Sequence, residues 1–168
     1  MLYVCPLSQL ARVVSMTGAR HVVTLINADT PVKRPAGVAP DDHLFLGFND
    51  IVSDEPGLTP PGAEHVDRLL GFVGRWPREK PLVIHCFAGI SRSTAAAYIT
   101  ACALSPQRDE AAVAQALRQA APSATPNARL VALADARLGR QGRMTAAIAA
   151  IGRGRDAFEG NPFRLALA

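Results

Sequence analysis

The chain has 168 residues, 49% of them hydrophobic, with three cysteines and a formal charge of +4. That length supports one core, so a single domain over 1–168 is expected, and scattered arginines on a modest net charge do not make a nucleic-acid binder. Cys5, Cys86 and Cys102 are too few and too far apart for a disulfide framework, the start has no basic leader, and no apolar run is long enough for a membrane span, so a reducing cytoplasm is the expected home.

Strand and helix patterns alternate along the chain. Leu2–Leu7 reads as a strand, followed by a helix that Ser8 caps and that runs to about Met16 before Gly18. His21–Ile26 is a second strand. Thr30–Pro40, with Pro31, Pro35, Pro40 and the pair Lys33-Arg34, is a loop. Leu44–Phe48 is a third strand, ending in Asn49-Asp50. Thr59-Pro60-Pro61 opens a helix with Val66, Leu69, Leu70 and Val73 on one face. Pro81–His85 is the central strand. Helices are expected over about Arg92–Leu104, Asp109–Ala121, Asn127–Leu138 and Met144–Ile151. The tail from about 152 carries Phe158, Phe163, Leu165 and Leu167, which would pack it back on the domain.

The chemistry concentrates in His85-Cys86-Phe87-Ala88-Gly89-Ile90-Ser91-Arg92-Ser93. A strand precedes it and an Ala-rich helix follows. Backbone N–H groups of such a loop can turn inward together, and the helix start adds the positive end of its dipole. The result is a concave anion site, formed by residues 87–92, with a sulfur at its floor. Arg92 closes the rim with a planar fork that matches two phosphate oxygens. This environment favours thiolate over thiol.

The stretch resembles the His-Cys-x5-Arg-Ser/Thr signature of the cysteine-dependent protein-tyrosine phosphatases, especially their small dual-specificity branch. The resemblance covers roughly 44–143 in order and spacing, with specific motifs only in the signature loop. It implies an α/β fold: a central, largely parallel sheet of four to five strands flanked by helices. It implies a phosphoprotein phosphatase that hydrolyses phosphotyrosine, with phosphoserine and phosphothreonine as further candidate substrates, through a cysteinyl-phosphate. Cys86 would be the nucleophile, and Phe87, Ala88, Gly89, Ile90, Ser91 and Arg92 would hold the phosphate. Ser93 would assist departure of the sulfur, and no metal or cofactor would be required. Phe87, Ala88 and Ile90 bring no charge to the loop, where inositol-phosphate enzymes tend to carry lysine; a phosphorylated protein or peptide is the expected partner.

Ester cleavage also needs a proton donor on a neighbouring loop. Asp50, just past the third strand, is the leading candidate, and dual-specificity enzymes carry their acid in a similar Asn-Asp loop. Asp54, in the same loop, is its rival. Trp76-Pro77-Arg78 resembles the acid loop of the larger tyrosine phosphatases, but arginine cannot donate the proton, so the segment reads as a helix stop with a packing tryptophan. His85 would hold backbone and tune the sulfur rather than touch substrate. His21, His43 and His65 have no ligand spacing and read as solvated or strand-end residues. Cys5 and Cys102 read as small core residues, with a resolving role toward an oxidised Cys86 as the lesser alternative. Lys33-Arg34 reads as solvated. Asn127 caps a helix that resembles one in dual-specificity enzymes. The glutamine often found in that helix is absent, with Ala132 and Ala134 nearby, and so is the phosphotyrosine-recognition loop of the larger enzymes. Two other readings stay open: a catalytically silent phosphate-binding module, and a thiol-redox enzyme of arsenate-reductase or sulfurtransferase type. Oligomeric state is not legible.

Overall fold

The computed structural model describes residues 1–167. Five strands form one sheet in the order β3-β2-β4-β1-β5. They are β1 (Leu2–Pro6), β2 (His21–Ile26), β3 (His43–Gly47), β4 (Leu82–Cys86) and β5 (Phe163–Leu165). The first four run parallel. Only β5 is antiparallel, pairing Val4 with Phe163 and Leu2 with Leu165. Runs such as Val22-Val23-Thr24-Leu25-Ile26 and Leu82-Val83-Ile84 are buried on both faces, as parallel strands under helices must be.

Helix α1 (Leu10–Thr17) covers one face, packing Leu10, Val13 and Val14 against Cys5, Val22 and Val83. The other face carries α2 (Ala63–Arg75), α3 (Arg92–Leu104), α4 (Glu110–Ala120), α5 (Ala128–Arg137) and α6 (Arg143–Ile151) around a larger core. Helix α3 is buried from Arg92 to Cys102. Its Ala95-Ala96-Ala97 and Ala101 are what allow a helix so close an approach to neighbours on every side. Among the described residues no helix is long and apolar enough to cross a membrane.

Three local expectations need correction. Ser8 does not cap α1: a short 3-10 turn over Leu7–Gln9 intervenes, and the Ser8 hydroxyl instead donates to the Glu159 carboxylate at 2.9 Å. Thr59-Pro60-Pro61 lies outside α2, which starts after Gly62, where the Gly62 amide donates to His65 Nδ1 at 2.9 Å. Phe158 does not pack back; it is 93% exposed. The rest of the tail does pack back: Phe163, Leu165 and Leu167 join the larger core, and Phe163–Leu165 adds a strand to the sheet. Trp76 does end α2, buried, with its indole N–H donating to the Lys80 carbonyl at 3.0 Å.

Candidate active site

Because β1 to β4 are parallel, the segments leaving their C-terminal ends meet at one edge of the sheet. These are Leu7 after β1, Asn27 after β2, Phe48–Asp50 after β3, and the loop Phe87–Ser91 after β4. Open α/β sheets bind ligands at this edge.

The loop's carbonyls are fastened outward by the His85 imidazole and by backbone amides. His85 Nδ1 lies 3.2 Å from the Cys86 carbonyl. The Leu7 amide donates to Phe87 O at 3.0 Å, Gly160 to Ala88 O at 2.7 Å, and Thr125 to Ile90 O at 2.9 Å. Ser91 O accepts from Ala95 at 3.0 Å and from Asn127 at 3.3 Å. In a planar trans peptide the N–H points opposite to the C=O, so each tie turns the following amide toward the hollow of the loop. The Gly89 amide confirms the sense, donating to Cys86 Sγ at 3.2 Å. Such a nest of amides is an anion site built from backbone alone.

Two glycines make these ties possible. Gly89 has φ +70°, and a Cβ there would lie 2.7 Å from the Pro6 nitrogen of β1. On its other side a Cβ at Gly160 would lie 2.8 Å from Gly89 O. The loop is thus held between the end of β1 and the tail.

Cys86 sits at the floor, 3% exposed, with Ser93 Oγ 3.1 Å from its sulfur. His85 is wholly buried, and burial pushes its imidazole down to about 4. It contacts Thr24 Oγ1 and the Cys86 carbonyl. Arg92 is also buried; its Nη1 donates to Asn27 Oδ1 and to the Phe48 carbonyl, both at 2.7 Å. Its Nε has no partner. Two neutral acceptors therefore hold the guanidinium by one edge, and the unpartnered Nε suits an oxyanion.

Asp50 arrives over the same rim. Its Oδ1 accepts from Ser91 Oγ at 2.7 Å and from Asn127 Nδ2 at 2.8 Å. Asp54 is turned away to Arg129, 2.7 Å from its guanidinium, with 83% of its side chain exposed. Cys86, Arg92, Ser93, His85, Asp50 and the loop residues 87–91 are therefore gathered at one place, and Asp54 is not.

Three contributors were not legible as such. Asn27 and Gly160 carry no local motif, because only the sheet and the tail's return bring them here. Asn127 caps α5 through Oδ1, accepting from the Leu130 amide at 3.0 Å, while its amide nitrogen holds Asp50. Its cap role hides the second one.

His21 and His43 stand at the starts of β2 and β3, as strand-end residues, and His65 lies near the start of α2. His65 is buried at the start of α2 with its ring 4.7 Å from Phe48. His21 Nε2 lies 3.3 Å from Asp42, and His43 Nε2 lies 2.8 Å from Thr24 Oγ1. Arg34 donates to the Val38 carbonyl within its own loop. Burial raises the Cys5 thiol to about 12 and the Cys102 thiol to about 11. Among the described residues no three His, Cys, Asp or Glu side chains gather as a metal site would require.

No protein-family profile matches the chain, and no curated protein matches it by sequence. Solved structures do match. The Cydia pomonella PTP-2 phosphatase superposes with a TM-score of 0.64 at 23% identity, over 80% of this chain and 84% of that one. Human DUSP28 gives 0.64 at 15% identity, over 83% and 92%. The human tyrosine phosphatase-like serine/threonine/tyrosine-interacting protein gives 0.61 at 19% identity, over 83% and 92%. The chain has the protein-tyrosine-phosphatase fold of these structures.

Proposed function

We propose that the protein is a cysteine-dependent phosphatase that hydrolyses phosphate monoesters on tyrosine, and on serine or threonine where they reach Cys86. One observation carries the reading. Cys86 Sγ, the amide nest, the unpartnered Arg92 Nε and a carboxylate anchored by Ser91 and Asn127 all converge on one edge of the sheet. The fold shared with the Cydia pomonella PTP-2 phosphatase and human DUSP28 agrees with it.

In this mechanism the Cys86 thiolate attacks phosphorus. Arg92 and the amides of residues 87–92 take the equatorial oxygens, where transition-state charge is spread. As the P–O bond to the alcohol breaks, Asp50 gives its proton to the departing oxygen. Both hydrogen bonds to Asp50 fall on Oδ1, leaving Oδ2 to carry that proton. Asp50 then takes a proton from water, which attacks the cysteinyl-phosphate, and the sulfur leaves toward Ser93 Oγ as a thiolate. The steps consume water and release alcohol and phosphate, with no net change at the enzyme. The nucleophile must stay reduced, which fits a cytoplasmic location.

The silent-module reading keeps the nest but has no use for an anchored Asp50. The redox reading needs a resolving cysteine or persulfide chemistry, and Cys5 and Cys102 are free but buried thiols that burial raises to about 12 and about 11. Turnover of p-nitrophenyl phosphate and of a phosphotyrosine peptide, without any added thiol cosubstrate, tests the proposal. Release of phosphate from both supports it. Binding of inorganic phosphate with no release from either would make the chain a silent module.

A further inference from the structure

Three side chains on adjacent strands form a hydrogen-bonded line across the sheet. His43 on β3 meets Thr24 on β2 at 2.8 Å, and Thr24 meets His85 on β4 at 2.7 Å. The acceptor-only carbonyl at one end orders their hydrogens. The Cys86 carbonyl only accepts, so His85 Nδ1, 3.2 Å away, carries the hydrogen. His85 is buried without a carboxylate partner and is neutral, so its Nε2 is bare. Thr24 therefore donates its single hydrogen to His85. With that hydrogen spent, the contact to His43 Nε2 requires the histidine to donate. The line runs one way: His43 to Thr24 to His85 to the Cys86 carbonyl.

We propose that Thr24 and His43 are positioning residues for Cys86, forming a one-directional relay that fixes the peptide whose amide opens the anion nest. The peptide in question joins Cys86 to Phe87. Holding its carbonyl outward turns the Phe87 N–H inward, beside the sulfur. Each upstream donor strengthens the next bond by polarising it. The groups around His43 are the Arg34 guanidinium, the neutral His85, and the adjacent Asp42, whose carboxylate is taken up by His21. The proposal rests on Cys86 being the reactive thiol but not on what that thiol attacks.

Thr24 has a competing explanation: a β-branched residue in a strand, where valine serves as well. Alkylation of Cys86 by iodoacetamide, followed by peptide mass across a pH series, separates the two. Cys5 and Cys102, with thiols raised to about 12 and about 11, stay silent near neutrality. Thr24→Val and His43→Leu should slow alkylation about threefold to tenfold at mildly acid pH, and leave it unchanged at high pH, where every accessible thiol is ionised. Thr24→Ser and His43→Gln keep a hydroxyl and an N–H donor, and should stay within about twofold of the parent. Thr24→Val with the parent's profile, or Thr24→Ser as slow as Thr24→Val, would overturn the relay. Should Thr24→Val fail to fold, the half-buried His43 pair decides the matter by the same comparison. A parent without phosphatase turnover would defeat the functional proposal and leave this one standing; unchanged alkylation profiles would defeat this one alone.

Discussion

Asn127 holds two elements at once: its Oδ1 caps α5 on the Leu130 amide, and its Nδ2 donates to Asp50 at 2.8 Å. The start of α5 thereby sets the place of the carboxylate above the phosphate loop. Asn127→Asp separates the two tasks. A carboxylate still caps the helix, so thermal stability should stay close to the parent's. It also puts a like charge against Asp50 in place of a donor, which favours the protonated carboxyl. The alkaline limb of the kcat/KM profile should move to higher pH. A profile superimposable on the parent's would show that Asn127 does not govern the acid.

A general acid matters most for a poor leaving group. Asp50→Asn should slow an alkyl or ordinary aryl phosphate by about 10²–10⁴-fold and a highly activated aryl phosphate much less. Asp54→Asn should cost little with either, since Asp54 only pairs with Arg129 at the surface. Steady-state rates across a series of phenols give the comparison. If the leaving-group dependence followed Asp54, the loop would have to rearrange on binding substrate.

How much of this was readable beforehand follows from the range of each interaction. Strands β1 to β4 and the helices announce themselves by periodicity, a local property. Strand β5 does not, because Phe163–Leu165 is strand only through its pairing with β1. The Ser8 cap failed for the same reason: Glu159, from the far end of the chain, takes the hydroxyl. In the site, Cys86 to Arg92 is contiguous and was legible as a unit. Asn27, Thr24 and Gly160 were not, since their partners are reached across the sheet or by the returning tail.

Gly160 carries a consequence of that tail contact. A side chain there would meet Gly89 O, and the amide of Gly160 could no longer hold Ala88 O at 2.7 Å. Gly160→Val should shift the loop and lower kcat/KM by about 10–100-fold, with a far-ultraviolet spectrum like the parent's. Inorganic phosphate should inhibit the variant more weakly. Parental kinetics would mean that the tail merely rests on the loop.

Acid should destabilise the fold through His85. Its folded value, about 4, lies below the unfolded value near 6.5, so the unfolded chain binds the proton more readily in between. Stability from this group is complete above pH ~6.5 and falls as the pH drops to about 4, by something on the order of 3 kcal/mol. Burial lowers His43 and His65 too, and they act in the same direction. Urea unfolding at neutral pH and near pH ~4.5 measures the loss, and His85→Phe should flatten it.

The central claim is that Cys86 itself takes the phosphoryl group. The most direct measurement mixes enzyme with an activated aryl phosphate, quenches in acid within the first turnovers, and maps the peptide masses. The account predicts one added phosphoryl group on the Cys86 peptide, decaying as substrate is exhausted, together with neither adduct nor turnover in Cys86→Ser. Turnover at the parent's rate by Cys86→Ser, or an adduct confined to another residue, would contradict it.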